Sequence, residues 1–265
     1  MKYYVVSDVH GFFSQMKQAL QEKGFFEDKE PHKLIICGDM FDRGEEVFEM
    51  QKFMLDLLHK DELIFIRGNH EDLMLDMLDK FEDYRWEISW GVSHHNSNGT
   101  WDTALQLSNM NESEALRNTD EFIKRVKSSD FCKELIPVSV NYFETKNYIF
   151  VHGWIPCYTD DMPSWYRRNR HYTANPDWRN ADDKEWKDAR WFNGMELAEL
   201  HNIVERDKKI VCGHWHASYG HYMFENNGSE YGKDADYSPY YGENITAIDA
   251  CTALSNTVNC LVIED

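Results

Sequence analysis

The chain has 265 residues, a formal net charge of −19 and an apolar fraction of 42%. The length and composition predict a single globular domain spanning residues 1–265, because nothing in the sequence resembles a linker. The negative charge argues against binding a nucleic-acid duplex or an anionic membrane, both of which attract basic surfaces. No apolar run approaches the roughly 18 residues of a membrane span, and the start of the chain does not resemble a signal peptide. We therefore expect a cytoplasmic protein.

The first third of the chain alternates between short apolar runs and longer amphipathic stretches. The apolar runs are predicted to be strands at residues 2–7, 33–37 and 63–66. The amphipathic stretches are predicted to be helices at residues 12–23, 45–60 and 71–80. This order predicts right-handed β-α-β units around a mainly parallel sheet, which binds ligands at the C-terminal ends of its strands.

The remainder of the chain has a weaker pattern. Residues 81–133 are polar and rich in Trp and Asn, and we interpret them as a helical cap inserted into the same domain. Residues 135–143 and 147–151 are predicted to form two strands of an antiparallel hairpin. Residues 158–193 carry many tryptophans and arginines, and we predict a loop that either faces the substrate or lies on the surface pinned by its aromatic side chains. Further strands are predicted at residues 209–212, 245–250 and 258–264.

Residues of the kind that bind metals recur at the predicted strand ends. They are Asp8, His10, Asp39, Asn69, His152, His214 and His216. Side chains two positions apart at a strand end point to the same side, so Asp8 and His10 can reach one cation. Each residue alone has an ordinary explanation, such as a capping aspartate or a buried histidine bonded within the core. Together they predict two adjacent divalent metal ions, a common device for hydrolysing phosphoesters.

The ligand types narrow the choice of metal. Asp39 can bridge two cations through its two carboxylate oxygens, and Asn69 offers an amide oxygen without adding charge. Imidazole combined with carboxylate suits transition metals better than calcium. We expect manganese, with iron, zinc or nickel as alternatives.

Three motifs resemble the signature of the calcineurin-like metallophosphoesterase superfamily, in its phosphoprotein phosphatase branch. They are D-x-H-G at residues 8–11, G-D-x-x-D-R-G at residues 38–44 and G-N-H-E at residues 68–71. The resemblance extends over residues 1–78, 135–153 and 210–265. It implies an α/β fold, a four-layer α/β/β/α sandwich of two mixed sheets with a dinuclear metal site at the C-terminal ends of the strands. It also implies a phosphoesterase, because the branch contains Ser/Thr phosphatases and symmetrical diadenosine tetraphosphate hydrolases.

The resemblance also assigns the metal ligands. One ion would be held by Asp8, His10, Asp39 and His216. The other ion would be held by Asp39, Asn69, His152 and His214. His216 departs from the eukaryotic phosphatase pattern and is similar to the G-H-x-H motif of the wider superfamily, which implies a fuller ligand set for the first ion.

Two further motif residues are predicted to take part in the chemistry. His70 would give a proton to the leaving alkoxide, and Asp42 would fix the tautomer of His70 and raise its pKa. Alternatively, Asp42 caps the helix that is predicted just after Gly44. The attacking hydroxide would come from a water molecule activated by the two ions.

Three arginines are candidates for binding the substrate phosphate. Arg43 would hold it with a bidentate guanidinium, or would pair instead with the glutamates at positions 45–46. Arg67 would bind phosphate or only support the site. Arg190 would substitute for an arginine that the branch usually carries, since Asn193 stands near that place here.

The sequence favours a phosphorylated protein as the substrate, with a diadenosine polyphosphate as the alternative. A base-stacking slot between walls near residues 86–101 and 165–191 would favour the nucleotide, whereas an open groove would favour a phosphopeptide. A candidate of another class, an inactive module that binds phospho-ligands, fits a complete ligand set less well. The oligomeric state is left open.

Overall fold

The computed structural model describes residues 1–159 and 171–265, and its strands follow the predicted apolar runs through the first third of the chain. In chain order the strands are β1 (Lys2–Val6), β2 (His32–Cys37), β3 (Leu63–Ile66), β4 (Phe143–Glu144), β5 (Tyr148–Phe150), β6 (Cys157–Thr159), β7 (Tyr172–Ala174), β8 (Lys209–His216), β9 (Tyr240–Tyr241), β10 (Ile245–Asp249) and β11 (Leu261–Glu264).

Helices connect these strands and cover the outer faces of the sheets. In chain order they are α1 (Phe13–Glu22), α2 (Val47–Leu58), α3 (Asn69–Asp79), α4 (Phe81–Ser89), α5 (His94–Asn98), α6 (Thr100–Ser108), α7 (Glu112–Arg117), α8 (Thr119–Lys127), α9 (Ile136–Val138), α10 (Asp183–Ala189), α11 (Gly194–Glu199), α12 (Ala217–Phe224) and α13 (Thr252–Ser255). Within the two described ranges, none of these helices combines the length and apolar character needed to cross a bilayer.

Two mixed sheets form the centre of the fold. The first has the strand order β11-β1-β2-β3, and the second has the order β4-β5-β8-β10-β9. Each sheet has three parallel strands, β1, β2 and β3 in the first, where β3 is an edge strand, and β5, β8 and β10 in the second. Antiparallel strands flank them, since β11 pairs with β1, β4 with β5 and β9 with β10.

Buried side chains fill three layers around these sheets. Val5 and Ile35 of the first sheet meet Phe150, Val211 and Ile248 of the second sheet in the middle layer, all of them fully buried. The outer face of the first sheet packs against α1 to α3 and the helices of residues 81–133. The outer face of the second sheet packs against α10 to α12. This layering confirms the predicted α/β sandwich of two mixed sheets.

The helices between residues 81 and 133 share a core with the first sheet. Phe81, Trp101 and Phe122 are almost fully buried and pack on one another with ring centroids 5.1–5.9 Å apart. They belong to the same apolar cluster as Leu34 and Ile36 of β2. The burial of these rings holds α4, α6 and α8 in the same core as the first sheet.

The predicted strand at residues 135–143 was wrong over most of its length. The chain forms a π-helical turn at Phe131–Leu135 and then α9. Val140 makes an isolated parallel bridge to Ile66, and a regular strand begins only at β4. The physical reason is Pro137, which has no N–H for a sheet ladder but fits the first turn of a helix. The predicted hairpin is confirmed where Phe143 of β4 pairs with Phe150 of β5.

Residues 158–193 are more regular than predicted. β6 and β7 form an antiparallel pair, a 3-10 turn follows at Trp178–Asn180, and α10 comes after it. Asp182 caps α10 by accepting hydrogen bonds from the backbone of its first turn, a signal that sequence reasoning missed. Residues 160–170 of the predicted loop lie outside the described residues.

Truncating a valine between the two sheets is expected to destabilise the protein. Val5 is fully buried in the middle layer, so Val5→Ala removes two methyl groups from close packing. We expect the free energy of unfolding to fall by about 2–3 kcal/mol. Val262→Ala is the matched control, because Val262 is 41% exposed on β11, and it should cost under about 1 kcal/mol. Urea unfolding of both variants measures the difference, and equal losses would contradict the assigned layering.

Candidate active site

The polar motifs meet at one edge of the two sheets. Asp8 follows β1, Asp39 follows β2 and Asn69 follows β3, while His152 follows β5 and His214 lies near the end of β8. Since parallel strands bring their C-terminal ends to the same edge, these side chains converge from both sheets. Asp39, Asn69 and His214 border a pocket of about 240 Å³, whereas Asp8 and His152 lie behind its lining. The lining residues are His10, Asp39, Arg43, Asn69, His70, Asn98, Trp191, His214, Trp215, His216, Tyr231, Asp249 and Cys251.

The backbone around this pocket is strained. Left-handed φ angles, between 51° and 76°, are found at Asp8, His10, Asp39, Asp42, Arg43 and His214. Side chains rarely adopt this conformation, and it clusters at functional sites where the surrounding structure imposes it. Gly38 also has a positive φ of 79°, and a Cβ there would come within 2.5 Å of His152 Nδ1. The glycine before Asp39 is therefore required by both backbone angle and space.

The carboxylate of Asp39 lies between two groups of imidazoles. Its Oδ1 is 3.3 Å from His152 Nε2, while its Oδ2 is 3.9 Å from His10 Nε2 and 3.7 Å from His70 Nε2. Burial alone would raise the pKa of Asp39, but the surrounding imidazoles hold that pKa well below its usual range. Asp39 is therefore ionised and presents a different oxygen to each side.

Hydrogen bonds fix the ring of His152 with its lone pair toward the pocket. Its Nδ1 lies 2.8 Å from the carbonyl of Cys37 and can only donate to it. Burial, the largest effect, lowers the pKa of His152 although Asp39 opposes the shift, which favours a neutral ring with a lone pair on Nε2. That nitrogen faces the side-chain oxygen of Asn69 at 2.7 Å as well as Asp39. Acceptors that converge in this way fit a divalent cation between them.

His10 is oriented in the same manner. Its Nδ1 is 3.0 Å from the carbonyl of Phe41, so its Nε2 is free to face Asp39. Burial lowers the pKa of His10 well below its usual value, and His70 adds to the effect. Around Asp39, two sets of three residues each bring their ligand atoms within 4.8 Å of one another: His10, Asp39 and His70, and Asp39, His152 and His214. Asp39 belongs to both groups, as expected of a bridging ligand.

Asp8 and Asp249 add negative charge behind these ligands. Asp8 accepts hydrogen bonds from Ser7 Oγ and from the backbone N–H of His214, the latter at 2.9 Å. Burial raises the pKa of Asp8 well above its usual value, with further contributions from Asp249 and Asp39. Burial likewise raises the pKa of Asp249 to about 6. Buried carboxylates that repel one another fit a site whose charge is balanced by cations.

Asp249 was not among the residues predicted for the site. It lines the pocket and is 6% exposed, and its carboxylate accepts a hydrogen bond from the N–H of Cys251 at 2.7 Å. The signal was present in the sequence, because an apolar strand precedes Asp249 as it does Asp8 and Asp39.

His70 and Asp42 form a buried pair beside the ligands. Asp42 Oδ2 is 2.7 Å from His70 Nδ1 and also accepts a hydrogen bond from Thr100 Oγ1 at 2.8 Å. Burial opposes protonation of His70, but Asp39 and Asp42 raise its pKa overall. The alternative role of Asp42 as a helix cap does not fit, since Glu46 occupies the N-cap position of α2.

Glu71 links the G-N-H-E motif to the G-D-x-x-D-R-G motif through hydrogen bonds. Its buried carboxylate accepts hydrogen bonds from the backbone N–H groups of Gly68 at 2.7 Å, Asp39 at 3.0 Å and Met40 at 3.1 Å. Burial and the nearby Asp39 raise the pKa of Glu71 to about 7. Sequence reasoning gave this residue no role, although it is the fourth residue of the G-N-H-E motif.

Of the three predicted phosphate-binding arginines, Arg43 lines the pocket. It is exposed, and within residues 1–159 and 171–265 it has no carboxylate within ion-pair distance, the glutamates at positions 45–46 included. Arg190 is buried and donates to Asp72 at 2.7 Å and to Asn141 at 2.9 Å.

Arg67 also points away from the pocket. Its guanidinium donates to Ser139 Oγ at 3.0 Å and to the carbonyl of Ile136 at 3.2 Å. It therefore ties the end of β3 to the segment that contains α9. Neither Arg67 nor Arg190 is among the residues that line the pocket.

His216 lies at the edge of the pocket. Its Nε2 is 3.1 Å from a carboxylate oxygen of Glu230, and its ring lies against Tyr231 with centroids 4.6 Å apart. His216 does not belong to either of the two groups of converging ligand atoms around Asp39. Sequence reasoning did not foresee Glu230 or Tyr231, because both come from a loop without a regular pattern.

A sequence profile of the calcineurin-like phosphoesterase family matches residues 1–243. The chain therefore belongs to the calcineurin-like phosphoesterase family, whose members are metal-dependent hydrolases of phosphate esters. This membership confirms the resemblance seen in the motifs and agrees with the convergence of ligands at the strand ends.

Relatives of two kinds match the chain. Serine/threonine-protein phosphatase 1 of Salmonella typhimurium is 31% identical over 113 residues, which covers 43% of this chain and 46% of that protein. The symmetrical bis(5'-nucleosyl)-tetraphosphatase of Proteus mirabilis is 22% identical over an alignment of 306 positions, gaps included, which covers 100% of this chain and 95% of that protein. The match to the Salmonella protein thus spans less than half of its length.

A solved structure supports the fold. The structure of a cold-active protein tyrosine phosphatase aligns with a TM-score of 0.52 at 18% identity, covering 99% of this chain and 73% of that one. At this identity the likeness shows a shared fold and nothing about the substrate.

Removing the charge of Asp249 is expected to stabilise the metal-free protein at high pH. With a pKa of about 6 in the fold against about 3.8 when unfolded, Asp249 is ionised at pH 8, and burial of that charge, together with repulsion from Asp39, destabilises the fold. Asp249→Asn should raise the unfolding free energy at pH 8 by on the order of 2–3 kcal/mol. The gain should shrink toward pH 5, where the native carboxyl is already protonated. Thermal unfolding in a chelator checks this, and a gain independent of pH would contradict it.

Proposed function

We propose that this chain is a dinuclear-metal phosphatase that removes phosphate from serine or threonine in proteins. The observation that carries the proposal is the position of Asp39, whose two carboxylate oxygens face separate imidazole groups. That arrangement suits a ligand shared by two cations, and the family of the chain supports phosphate esters as substrates.

The proposed ligand sets follow the strand ends. One ion would be held by Asp8, His10 and Asp39, and by His216 if its ring leaves Glu230. The second ion would be held by Asp39, Asn69, His152 and His214. We propose manganese, with iron, zinc or nickel as alternatives, because the donors are imidazole and carboxylate. When bound, the pair of ions supplies Lewis acidity that activates water and offsets charge on the phosphoryl oxygens.

The protein's own side chains would manage the substrate and the proton. Arg43 is placed to bind phosphate oxygens, because it is exposed at the pocket and no carboxylate of the described ranges lies within ion-pair distance of it. His70 is placed to protonate the leaving oxygen, because Asp42 accepts its Nδ1–H and leaves Nε2 facing the pocket. Thr100 holds the other side of this pair by donating to Asp42. The raised pKa of His70 supports a proton on that ring near neutral pH.

Arg67 and Arg190 would serve the site indirectly. Arg190 holds Asp72, which lies in the first turn of α3, three positions after Asn69. Arg67 holds the segment around Ser139 against the end of β3. We propose that both arginines position the strand ends, and that phosphate binding falls to Arg43.

The charge beside the site supports a protein substrate. A second cavity, of about 800 Å³, shares Trp191, His214 and Trp215 with the pocket that Asp39 lines. Its wall carries Glu185, Asp188, Glu196 and several aromatic side chains. Carboxylates repel the phosphate chain of a nucleotide but attract basic residues of a peptide. The cavity therefore favours a phosphopeptide with lysine or arginine next to the phosphorylated residue.

A specific observation keeps hydrolysis of diadenosine polyphosphate as the second candidate. Trp191 and Trp215 line both cavities and offer faces on which a base could stack. The bis(5'-nucleosyl)-tetraphosphatase from Proteus mirabilis also matches over 95% of its length. An inactive binding module is disfavoured, because the proposed ligands and the His70–Asp42 pair are all present.

A substrate panel tests the proposal. The full chain, supplied with manganese, should release phosphate faster from phosphoserine and phosphothreonine peptides that carry nearby basic residues than from acidic ones. Glu185→Gln combined with Asp188→Asn should reduce that preference several-fold. Faster hydrolysis of diadenosine tetraphosphate than of every peptide would favour the second candidate. Full turnover in a chelator would overturn a metal-dependent mechanism.

Replacing His70 is expected to slow substrates that need help with their leaving group. His70→Asn should lower kcat for an alkyl phosphate by roughly 10²–10⁴-fold, and much less for p-nitrophenyl phosphate. The reason is that p-nitrophenolate leaves without a proton, whereas an alkoxide does not. Steady-state kinetics on both substrates, with bound metal measured in the same samples, checks the prediction. Equal losses on the two substrates would remove His70 from the role of general acid.

Removing the guanidinium of Arg43 is expected to weaken substrate binding. Arg43→Ala should raise KM for phosphate esters by roughly 10–100-fold, the effect of losing a charge-assisted hydrogen bond. Arg206→Ala is a suitable control, because Arg206 is exposed and does not line the pocket. An unchanged KM in Arg43→Ala would exclude contact with the substrate phosphate.

A further inference from the structure

A further group of metal-ligand side chains lies between α3 and α5, away from Asp39. Asp76 of α3 and the adjacent His94 and His95 of α5 offer ligand atoms that all lie within 4.8 Å of one another. None of the three lines the catalytic pocket, and neither the motifs nor the family resemblance assigned them a role.

His95 is the unusual member of this group. Its side chain is fully buried, and among residues 1–159 and 171–265 neither of its ring nitrogens has a hydrogen-bond partner. A buried imidazole without partners is costly, since both its donor and its acceptor have lost water. Its ring lies 3.9 Å from the ring of His94 and 4.6 Å from that of Tyr84, measured between centroids. A ligand that accepts a lone pair would satisfy one of these nitrogens.

The protonation state of His95 suits a metal ligand. Burial, followed by the neighbouring His94, lowers the pKa of His95 to about 4. The ring is therefore neutral near pH 7, so no proton competes for the lone pair.

Asp76 supplies negative charge that a cation can use. Its Oδ1 is 2.7 Å from Lys80 Nζ, and its Oδ2 accepts a hydrogen bond from Tyr84 at 2.7 Å. The side chain of Lys80 is 57% exposed, so that its ion pair contributes little to stability and can be replaced. Each carboxylate oxygen also has a second lone pair, which allows Tyr84 to stay bonded while a cation binds.

We propose that Asp76, His94 and His95 form a separate site for a divalent transition metal of the zinc or nickel type. Two imidazoles and one carboxylate are ligands that these ions prefer, and water can complete the shell because His94 is exposed. In a tetrahedral site with bonds near 2.05 Å, ligand atoms are about 3.4 Å apart. Small rotations of the exposed His94 and of Asp76 would bring the three ligand atoms to that spacing.

Such a cation would connect two parts of the active-site architecture. Asp76 lies on α3, which begins with Asn69 and His70. α5 leads directly through Gly99 into α6, whose Thr100 donates a hydrogen bond to Asp42. The bound ion would therefore fix the helix that carries His70 against the segment that holds Asp42.

Metal stoichiometry of the full chain tests the site. After dialysis against a limited excess of zinc, His94→Ala should bind one equivalent less than the native chain, and zinc should raise its melting temperature less. His94 is exposed, so this change leaves the core intact. His59→Ala is the matched control, since it removes another exposed imidazole and should bind as much zinc as the native chain.

Asp76→Asn provides a second variant with the same shape. It should also lose one equivalent of zinc, while the catalytic pair stays bound. Equal zinc content in the native chain and both variants would overturn the site. The readout does not depend on the proposed phosphatase activity. It compares the zinc content of variants that all keep the same catalytic centre, whatever the substrate of that centre.

Discussion

The ionised carboxylate of Asp39 is the contact around which the two halves of the sandwich are arranged. One oxygen faces His152 from the second sheet, and the other faces His10 and His70 from the first. Each imidazole is held by a backbone carbonyl or by Asp42 on its far side. The positions of the strand ends, and with them the packing of the two sheets, therefore determine whether these groups can act together.

The cost of this arrangement is visible in the backbone. Left-handed angles at Asp8, Asp39 and His214 place side chains where ordinary strand ends would not. Glycines allow the neighbouring segments to approach, since a Cβ at Gly38 would strike both His152 and Gly68. The fold offsets this strain through the apolar layer between the sheets, which is fully buried beneath the site. Strands β1, β2, β3, β5, β8 and β10 contribute both to this buried layer and to the site at their ends, so that function and stability are coupled.

Much of the fold and site followed from local patterns. Short apolar runs followed by Asp8, Asp39 or Asn69 predicted both the strands and the edge where the ligands meet. The reason is that parallel strands bring their C-terminal ends to the same edge of a sheet. Features set by distant partners did not follow. His216 pairs with Glu230 from an irregular loop, and Arg190 turns to Asp72. No periodicity encodes such pairs, since they depend on how separate segments pack.

The three hydrogen bonds accepted by Glu71 have a consequence for how the enzyme acquires its ions. They clamp the backbone of Gly68, Asp39 and Met40 into one rigid body, so these amide protons should exchange with solvent only when the whole domain opens. On this basis we expect metal to enter and leave through the mouth of the pocket while these loops stay in place. The backbone that carries the ligands would thus be ordered before the ions bind, so that little conformational entropy is lost on binding.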